Sequence, residues 1–540
     1  MTDGQLLDAP AAWAQAAARQ VRHAAAWGVP PPALDDVFLN RPFHETVLGV
    51  ASRMPDRIAA RDGDRSLTFH ALAHLIQALG TLVPHASDPA RPVGILVTDS
   101  VRYMATVVGV WASGRVALLL DANHPADRTR LVMDGAGVAL VVTDDGTPDA
   151  VLHGRRVLNI DRDLRADTVS LPRVDPDAPC CIIGTSGSTG NPKLIVHSAR
   201  TMAYRATIRA QRFGITSADT MFIGGNAQST FGEVTHSVSG LATGATLELL
   251  NLRRIGLREA IARLVAARPT MARLPPSLAR TLLDVDGASA ALAHLHHVRV
   301  SAEQPLWSDI HALRRVVPAN CHILNCYSST EGVGTLWPIP TGTIPEQGIV
   351  PAGVLEGEGS YLLLDDDGQP VAAGQDGELV WRGRFLAIGE WIDGRLQPGR
   401  MAPDPSDPSY RIFRTGDLTR ESDDGVLTVL GRKDRMVKIN GIRVEPAEVE
   451  QAILAWPSVR DVVVLPVATP ASTTLIACLE PSGAFPPDAI SALRRHLRTV
   501  LPSHMVPSRV TVLDRLPRLP NGKVDAVALT QSTTTQQGKP

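Results

Sequence analysis

The stretch Gly184-Thr185-Ser186-Gly187-Ser188-Thr189-Gly190-Asn191-Pro192-Lys193 sets three glycines and four hydroxyl residues ahead of a proline and a lysine. Glycines let backbone N–H groups turn toward an anion, hydroxyls add donors, and the lysine adds charge, so the composition fits a phosphate cradle. Taken alone it also fits a flexible Gly/Ser linker. The Walker spacing fails, because Thr189 stands where the second glycine belongs and Pro192 precedes Lys193. The dinucleotide fingerprint G-x-G-x-x-G is absent too. Apolar Cys180–Ile183 precedes the stretch and Leu194–Val196 follows it, which predicts strand, loop, strand with no helix start aimed at a ligand. No H-R-D or D-F-G pair accompanies the loop, which disfavours a protein kinase.

Other stretches group side chains suited to chemistry. Asn325–Gly332, NCYSSTEG, offers an aromatic ring, hydroxyls and a carboxylate. Phe413–Leu418, FRTGDL, puts Asp417 beside a glycine in a turn. Gly377–Gly389 reads GELVWRGRFLAIG, and Gly431–Glu450 reads GRKDRMVKINGIRVEPAEVE. Leu516–Asp525, LPRLPNGKVD, carries Lys523 on a Pro-Asn-Gly turn. Only five of the 53 basic residues are lysine, and Lys193, Lys433, Lys438 and Lys523 all fall in these stretches. Arginine is read as the general surface cation, so each lysine asks for a reason: a compact ammonium reaches a single oxygen. Lys438 and Arg443 fit a decorated hairpin as well as a site.

The elements that must position these groups follow from the wider pattern. A chain of 540 residues exceeds one core and predicts several domains. With 44% hydrophobic and 20% charged residues and a net charge of -2, it reads as an ordinary globular protein with no call for nucleic acid or an anionic membrane. The N-terminus has no secretory pattern, and the apolar run Met104–Leu120 is broken by Ser113, Gly114 and Arg115. Five cysteines without a C-x-x-C pair give neither a disulfide framework nor a zinc site, and a cytoplasmic enzyme is expected. Residues 1–44 read as a helical, Ala-rich extension. Short apolar strands alternating with helices through residues 45–432 predict an α/β domain of covered, mostly parallel sheets, with an antiparallel β subdomain at about 345–430. Residues 433–528 read as a small α+β domain, including a helix after Asp488 with Ile490, Leu493, Leu497 and Val500 on one face. Residues 529–540 read as a disordered tail.

With these motifs in order, the chain resembles the adenylate-forming superfamily of acyl-CoA synthetases, luciferases and nonribosomal peptide synthetase adenylation domains. The resemblance runs from about residue 45 to 528 and is closest to a stand-alone adenylation domain. It implies a large N-terminal domain and a small mobile C-terminal one. It implies that a carboxylate attacks the α-phosphorus of ATP, gives an acyl-adenylate and releases pyrophosphate. The carboxylate is already nucleophilic, so positioning and charge neutralisation are what the protein supplies. By this resemblance Thr185, Ser186, Gly187, Ser188, Thr189, Gly190 and Lys193 hold phosphates, and Tyr327 and Ser328 line adenine. Thr330 meets the α-phosphate, Glu331 holds Mg²⁺, Asp417 and Arg432 take the ribose, and Lys523 bridges carboxylate and α-phosphate. Asp434 matches the family's hinge and Gly441 its thiol channel. Leu194, Ser328 and Phe231 depart from the family pattern.

The resemblance places the acid pocket at Phe231, Gly232, Arg273, Arg299, Ser301, Cys326, Gly334 and Thr335. No aspartate occupies the position that anchors an α-ammonium, although Glu233 lies nearby, and the two arginines suit a second acidic group on the substrate. The expected acceptor is the phosphopantetheine thiol of a separate carrier protein, in specialised metabolite biosynthesis. The alternatives are an acyl-CoA ligase or amide synthetase using the same adenylate, or a non-catalytic nucleotide-binding scaffold.

Overall fold

The computed structural model describes residues 10–530 apart from 35–38, 87–90, 125, 153, 165–169, 186–192, 225–230, 251–254, 333, 434–436, 440–441, 445, 469–472, 487, 502–504, 520–523 and 527. Two large sheets carry the chemistry. The eight-stranded sheet runs in the order Arg395–Gln397, Gly389–Ile392 (β7), Lys193–Ser198 (β2), Pro179–Thr185 (β1), Ala117–Leu119, Val93–Leu96, Leu140–Thr143, Arg156–Asn159. Its far side is parallel, and β1, β2 and β7 are antiparallel. The nine-stranded sheet runs Val354–Leu355, Gly334–Pro338 (β6), His322–Ser328 (β5), His297–Ser301 (β4), Met271–Leu274 (β3), Thr220–Ile223, Thr246–Leu249, Ile58–Asp62, Arg65–Thr68. It is parallel through its centre and antiparallel at both edges. Short Val/Ile/Leu-rich strands buried on both faces are what covered parallel sheets require, and helices Ala199–Arg212 (α2) and Phe231–Thr243 (α3) are buried over most of their lengths. The α/β expectation holds.

A five-stranded antiparallel sheet joins Ser360–Leu364, Asp376–Gly383, Arg411–Glu421 (β8) and Met401–Pro403, with Leu427–Arg432 (β9) on β8. The sequence puts residues 389–397 in this subdomain, but β7 pairs with β2 in the eight-stranded sheet. The cause is local: Gly389 lies across from Val196, and Trp391 buries against Leu194 and Val196, so the strand completes the core beside the Gly/Ser hairpin. Helix Pro10–Ala26 (α1) packs on the five-stranded sheet. Its Trp13 and Ala16 bury against Leu362, Leu364, Val380 and Ile412. Gln20 gives its amide to the Tyr361 carbonyl at 2.7 Å and accepts the Tyr361 N–H at 3.1 Å, behaving like one more strand residue.

The C-terminal unit pairs Val459–Ala468 with Thr473–Pro481, and that strand runs parallel to Arg509–Val512. Its core joins Val449 and Ile453 to Val462, Val464, Leu475, Leu479, Leu493 and Leu497. Helix Ala489–Val500 (α4) departs from the expected face. Asp488 makes no side-chain cap bond, and Val500 is 51% exposed. The buried stripe is Ala489, Leu493 and Leu497, a strict spacing of four, and Leu501 leaves the helix in extended conformation to bury in place of Val500. No described helix is long and apolar enough to cross a membrane.

Two buried histidines make stability pH-dependent. Burial holds the His44 imidazole at about 4, and burial with the Arg205 charge holds His197 at about 3. Both folded values lie below that of a free imidazole. Their contribution is therefore intact above about pH 6.5 and is lost as the unfolded chain gains protons at lower pH. Between pH 7.5 and 4.5, urea unfolding of His44→Phe should lose about 2 kcal/mol less stability than the parent, read against the slope of about 1.4 kcal/mol per pH unit.

Candidate active site

The hairpin β1–β2 ends in the register pair Thr185 and Lys193, where the Thr185 hydroxyl donates to the Lys193 carbonyl at 3.4 Å. Ser186, Gly187, Ser188, Thr189 and Gly190 lie outside the described residues, as do Lys523, Asp434 and Gly441. The two strands expected on either side of the stretch are what the structure shows, paired antiparallel.

Glu331 stands near this hairpin for a backbone reason. After β5 the chain turns at Ser329–Gly332, with Gly332 at φ 104° and its N–H on the Ser329 carbonyl at 3.2 Å. A Cβ at Gly332 would lie 2.9 Å from Arg205 Nη2 and 3.2 Å from the Phe385 carbonyl, so both the dihedral and the space call for glycine. The Glu331 carbonyl accepts from Ala387 N–H at 2.8 Å, and the next amide, Ile388 N–H, reaches the Val196 carbonyl at 2.8 Å. One short segment therefore ties the Glu331 turn to β2. The Glu331 carboxylate, 7% exposed, pairs with Arg400, whose Nε reaches Glu390 at 3.4 Å. Thr330 beside it is half-buried. Arg400 escaped the sequence reading because it sits in an irregular Pro-Gly turn that carries no motif.

Asp417 is placed by the β8–β9 pair, in which its register partner is Arg432. Arg432 Nη1 donates to Asp417 Oδ1 at 3.0 Å and to the Thr415 carbonyl at 2.8 Å, while the Tyr327 hydroxyl donates to Asp417 Oδ2. Gly416, at φ 73°, lets the guanidinium lie close, since a Cβ there would be 3.2 Å from Arg432 Nη2. Burial and then the Asp417 carboxylate push the Tyr327 hydroxyl well above its ordinary range, so it stays protonated as a donor. Ser328 is half-buried opposite Gly334. Three separate sequence motifs thus meet in Tyr327, Asp417 and Arg432.

The expected acid-pocket residues also converge. Arg273 and Arg299 are register partners on the parallel strands β3 and β4, and both are buried. Ser301 pairs in register with Cys326, and Thr335 with Tyr327. The Thr335 hydroxyl is spent on the Ala352 carbonyl at 2.7 Å. Arg299 Nε contacts Cys326 Sγ at 3.4 Å. Glu233, the nearest candidate for an ammonium anchor, instead meets Arg273 Nη1 at 2.5 Å, with both side chains buried. Phe231 stacks on His197 at 4.4 Å between ring centroids. Four further groups in this region carried no motif. Arg205 and Arg209 come from α2, His236 from α3, and Glu356 follows the strand Val354–Leu355, all buried. Burial, then Arg299, Arg209 and Arg273, hold His236 well below its ordinary value, so it is neutral.

The family model described as AMP-binding enzyme matches residues 49–391, and the AMP-binding enzyme C-terminal domain model matches residues 448–523. The chain is similar to phosphinothricin tripeptide synthetase PhsC of Streptomyces viridochromogenes, 31% identical across 92% of this chain and 46% of that protein. It is similar to an isonitrile lipopeptide synthase of Streptomyces coeruleorubidus, 32% identical across 92% of this chain and 34% of that protein. The chain thus spans less than half the length of these two relatives. In fold it resembles Klebsiella oxytoca NpsA, solved in complex with 3-hydroxyanthranilyl-AMSN, with a TM-score of 0.77 at 22% identity, covering 92% of this chain and 99% of that one.

Gly232 makes the Arg273–Glu233 pair possible: a Cβ there would stand 2.6 Å from Arg273 Nη2. Gly232→Ala should therefore push the guanidinium off Glu233 and cost about 1–3 kcal/mol, the usual range for overpacking a dense interior. Urea unfolding of the variant checks this.

Proposed function

The chain belongs to the AMP-binding enzyme family, and on that premise we propose that it activates a carboxylic acid with ATP and passes the acyl group to a thiol. The observation that carries this reading is the buried Asp417 carboxylate, gripped by Tyr327 and Arg432 and assembled from three sequence motifs on two different sheets. A carboxylate fixed by a tyrosine and a guanidinium is a rigid acceptor suited to sugar hydroxyls.

In the proposed step a substrate carboxylate oxygen forms a bond to the α-phosphorus. The bond from that phosphorus to the bridging β-phosphate oxygen breaks, and pyrophosphate leaves with the electron pair. No proton need move. Thr185 and Lys193 at the hairpin mouth, with Ser186, Gly187, Ser188, Thr189 and Gly190 between them, hold the leaving phosphates. Thr330 meets the α-phosphate, and Tyr327 and Ser328 line the base. Lys523 spans the reacting carboxylate and the α-phosphate, where charge is greatest in the transition state. Among the described residues no group of three or more His, Cys, Asp or Glu could hold a metal ion. Two buried carboxylates, Glu331 and Glu390, share Arg400 beside β2, and with Glu331 as the ligand this fits Mg²⁺, an ion commonly held by one or two carboxylates and the substrate's own phosphates. Bound there it would neutralise phosphate charge, and Arg400, which now pairs with Glu331, would orient that carboxylate.

The second step is attack of a phosphopantetheine thiol on the acyl carbon, with AMP leaving. The relatives' names, a tripeptide synthetase and a lipopeptide synthase, favour a carrier protein over CoA as the bearer of that thiol. Residues 433–528 would turn as a small domain about Asp434 and let the arm pass at Gly441. We place the reaction in the cytoplasm, where ATP is available.

Acid-dependent exchange of pyrophosphate into ATP tests the first step. Lys523→Ala should lower exchange by about 10²–10³-fold, the range for removing one charge-stabilising donor. Asp417→Ala should raise the KM for ATP by about 10–100-fold, as expected for losing a charged hydrogen bond. Wild-type exchange that is unchanged in Lys523→Ala would contradict the assignment.

A further inference from the structure

Four guanidiniums are shut away from water in one place. Arg205 is 6% exposed, Arg209 1%, Arg273 4% and Arg299 3%. They come from one helix and two strands, yet they feel one another. The Arg209 guanidinium is pushed well below its ordinary range by burial, then by Arg299, with Arg205 and Arg273 adding to it and Glu356 opposing. Two buried carboxylates face the group. Glu233 is engaged by Arg273, and Glu356 Oε2 lies 2.8 Å from where a Gly334 Cβ would stand, with Arg205 Nη1 3.5 Å from the same point. Glu358, further out, pairs with Arg384 at 3.0 Å. His197 and His236 are neutral, so the guanidiniums remain in the majority. Guanidinium is charged at any physiological pH, so such a surplus must be met by an anion or weigh heavily against the fold.

The donors themselves point to where that anion sits. Arg205 Nε, Arg209 Nε, Arg273 Nε, Arg299 Nη1 and Ser301 Oγ are buried with no hydrogen-bond partner among the described residues. Buried polar groups are nearly always paired, and although Glu356 Oε1 is orphaned with them, donors on four arginines and a serine outnumber that acceptor and call for another. The glycines agree, since a side chain at Gly232, Gly332 or Gly334 would run into Arg273, Arg205 or Glu356. Arg273, Arg299, Ser301 and Gly334 are also positions assigned to the acid pocket.

We propose that this arginine quartet is the receptor for a second oxyanion on the substrate, so that the acid activated is a dianion, with a dicarboxylic acid as the simplest case. This rests on the acyl-adenylate reading for the fate of the first carboxylate. One carboxylate is directed to the α-phosphorus, and the other accepts from Arg299, Arg273 and Ser301. The Glu233–Arg273 pair holds one guanidinium in orientation and keeps an amino acid's ammonium from finding Glu233 available.

The test compares succinate, glutarate, adipate and isophthalate with their monoamides, which match them in shape but lack the second charge, and adds phosphonocarboxylic acids of the same lengths. Pyrophosphate exchange and thermal stabilisation in the presence of ATP are read together on the whole chain. A dicarboxylate should exceed its monoamide by about 100-fold or more, because a site built on charged donors rejects a ligand that leaves them unpaired. Arg299→Gln, which breaks no ion pair with a carboxylate among the described residues, should shrink that ratio to about tenfold or less. A phosphonate arm that outperforms the carboxylate arm would support the receptor and identify the oxyanion as tetrahedral. Monoamides or neutral amino acids exchanging as well as dianions would overturn the receptor and leave adenylation standing. Dianions that stabilise the protein through Arg299 without any exchange would keep the receptor and sink adenylation. Neither stabilisation nor exchange by any dianion would overturn the receptor.

Discussion

Four guanidiniums excluded from water, with fewer carboxylates to meet them, set the terms for the centre of this molecule. Desolvating a charge is expensive, and a buried ion repays that cost only with close partners. The surrounding structure shows the consequences. Glu233 is drawn onto Arg273, and the strand register of β3 and β4 sets Arg273 beside Arg299. Gly232, Gly332 and Gly334 are the positions where a methyl group would collide with the cluster. Helices α2 and α3 are buried nearly throughout, although α2 is rich in arginine. An interior of this kind is better explained as a binding surface than as a core, since packed apolar side chains would stabilise the fold at least as well.

The side that holds Glu331 and Asp417 is built on a different rule, backbone continuity between sheets. The hairpin β1–β2 lies in the eight-stranded sheet, Tyr327 and Glu331 follow from the nine-stranded one, and Asp417 and Arg432 belong to the five-stranded one. Segment 386–390 stitches them, bonding the Glu331 carbonyl, the Val196 carbonyl and then β2 as a strand. Helix α1 braces the five-stranded sheet through Trp13 and Gln20, and Arg19 reaches Glu421 on β8 at 2.9 Å. The N-terminal helix therefore helps to fix the strand that carries Asp417.

Much of this was legible in the sequence because it lies in contiguous motifs. The Gly/Ser loop between two apolar runs, the carboxylate of TEG and the aspartate of FRTGDL each announce themselves by local composition, and the alternation of strands and helices gives the α/β class. Arg273 and Arg299 stand out through their neighbours, and the structure adds that they are buried register partners. What was hidden depends on burial. Treating arginine as the general surface cation is wrong for Arg205 and Arg209, since residues four apart on a polar-looking helix give no local sign of facing inward. Arg400 and Glu356 sit in irregular turns where periodicity has nothing to say. Strand β7 belongs to the eight-stranded sheet, against expectation, because an antiparallel partner as far off in sequence as Val196 is from Gly389 leaves no mark on the strand itself. Val500 lies off the buried face because where a helix ends decides which residue closes that face.

Oxygen tracing reaches the centre of the chemistry most directly. The chain would be given ATP, an acid whose carboxylates carry oxygen-18, and a pantetheine thiol, and the released AMP would be weighed. An acyl-adenylate joins a carboxylate oxygen to the α-phosphorus, and thiol attack at the acyl carbon leaves that oxygen on AMP, so AMP carrying one oxygen-18 is expected. Unlabelled AMP, or label found in inorganic phosphate with ADP as the nucleotide product, would contradict the proposed chemistry.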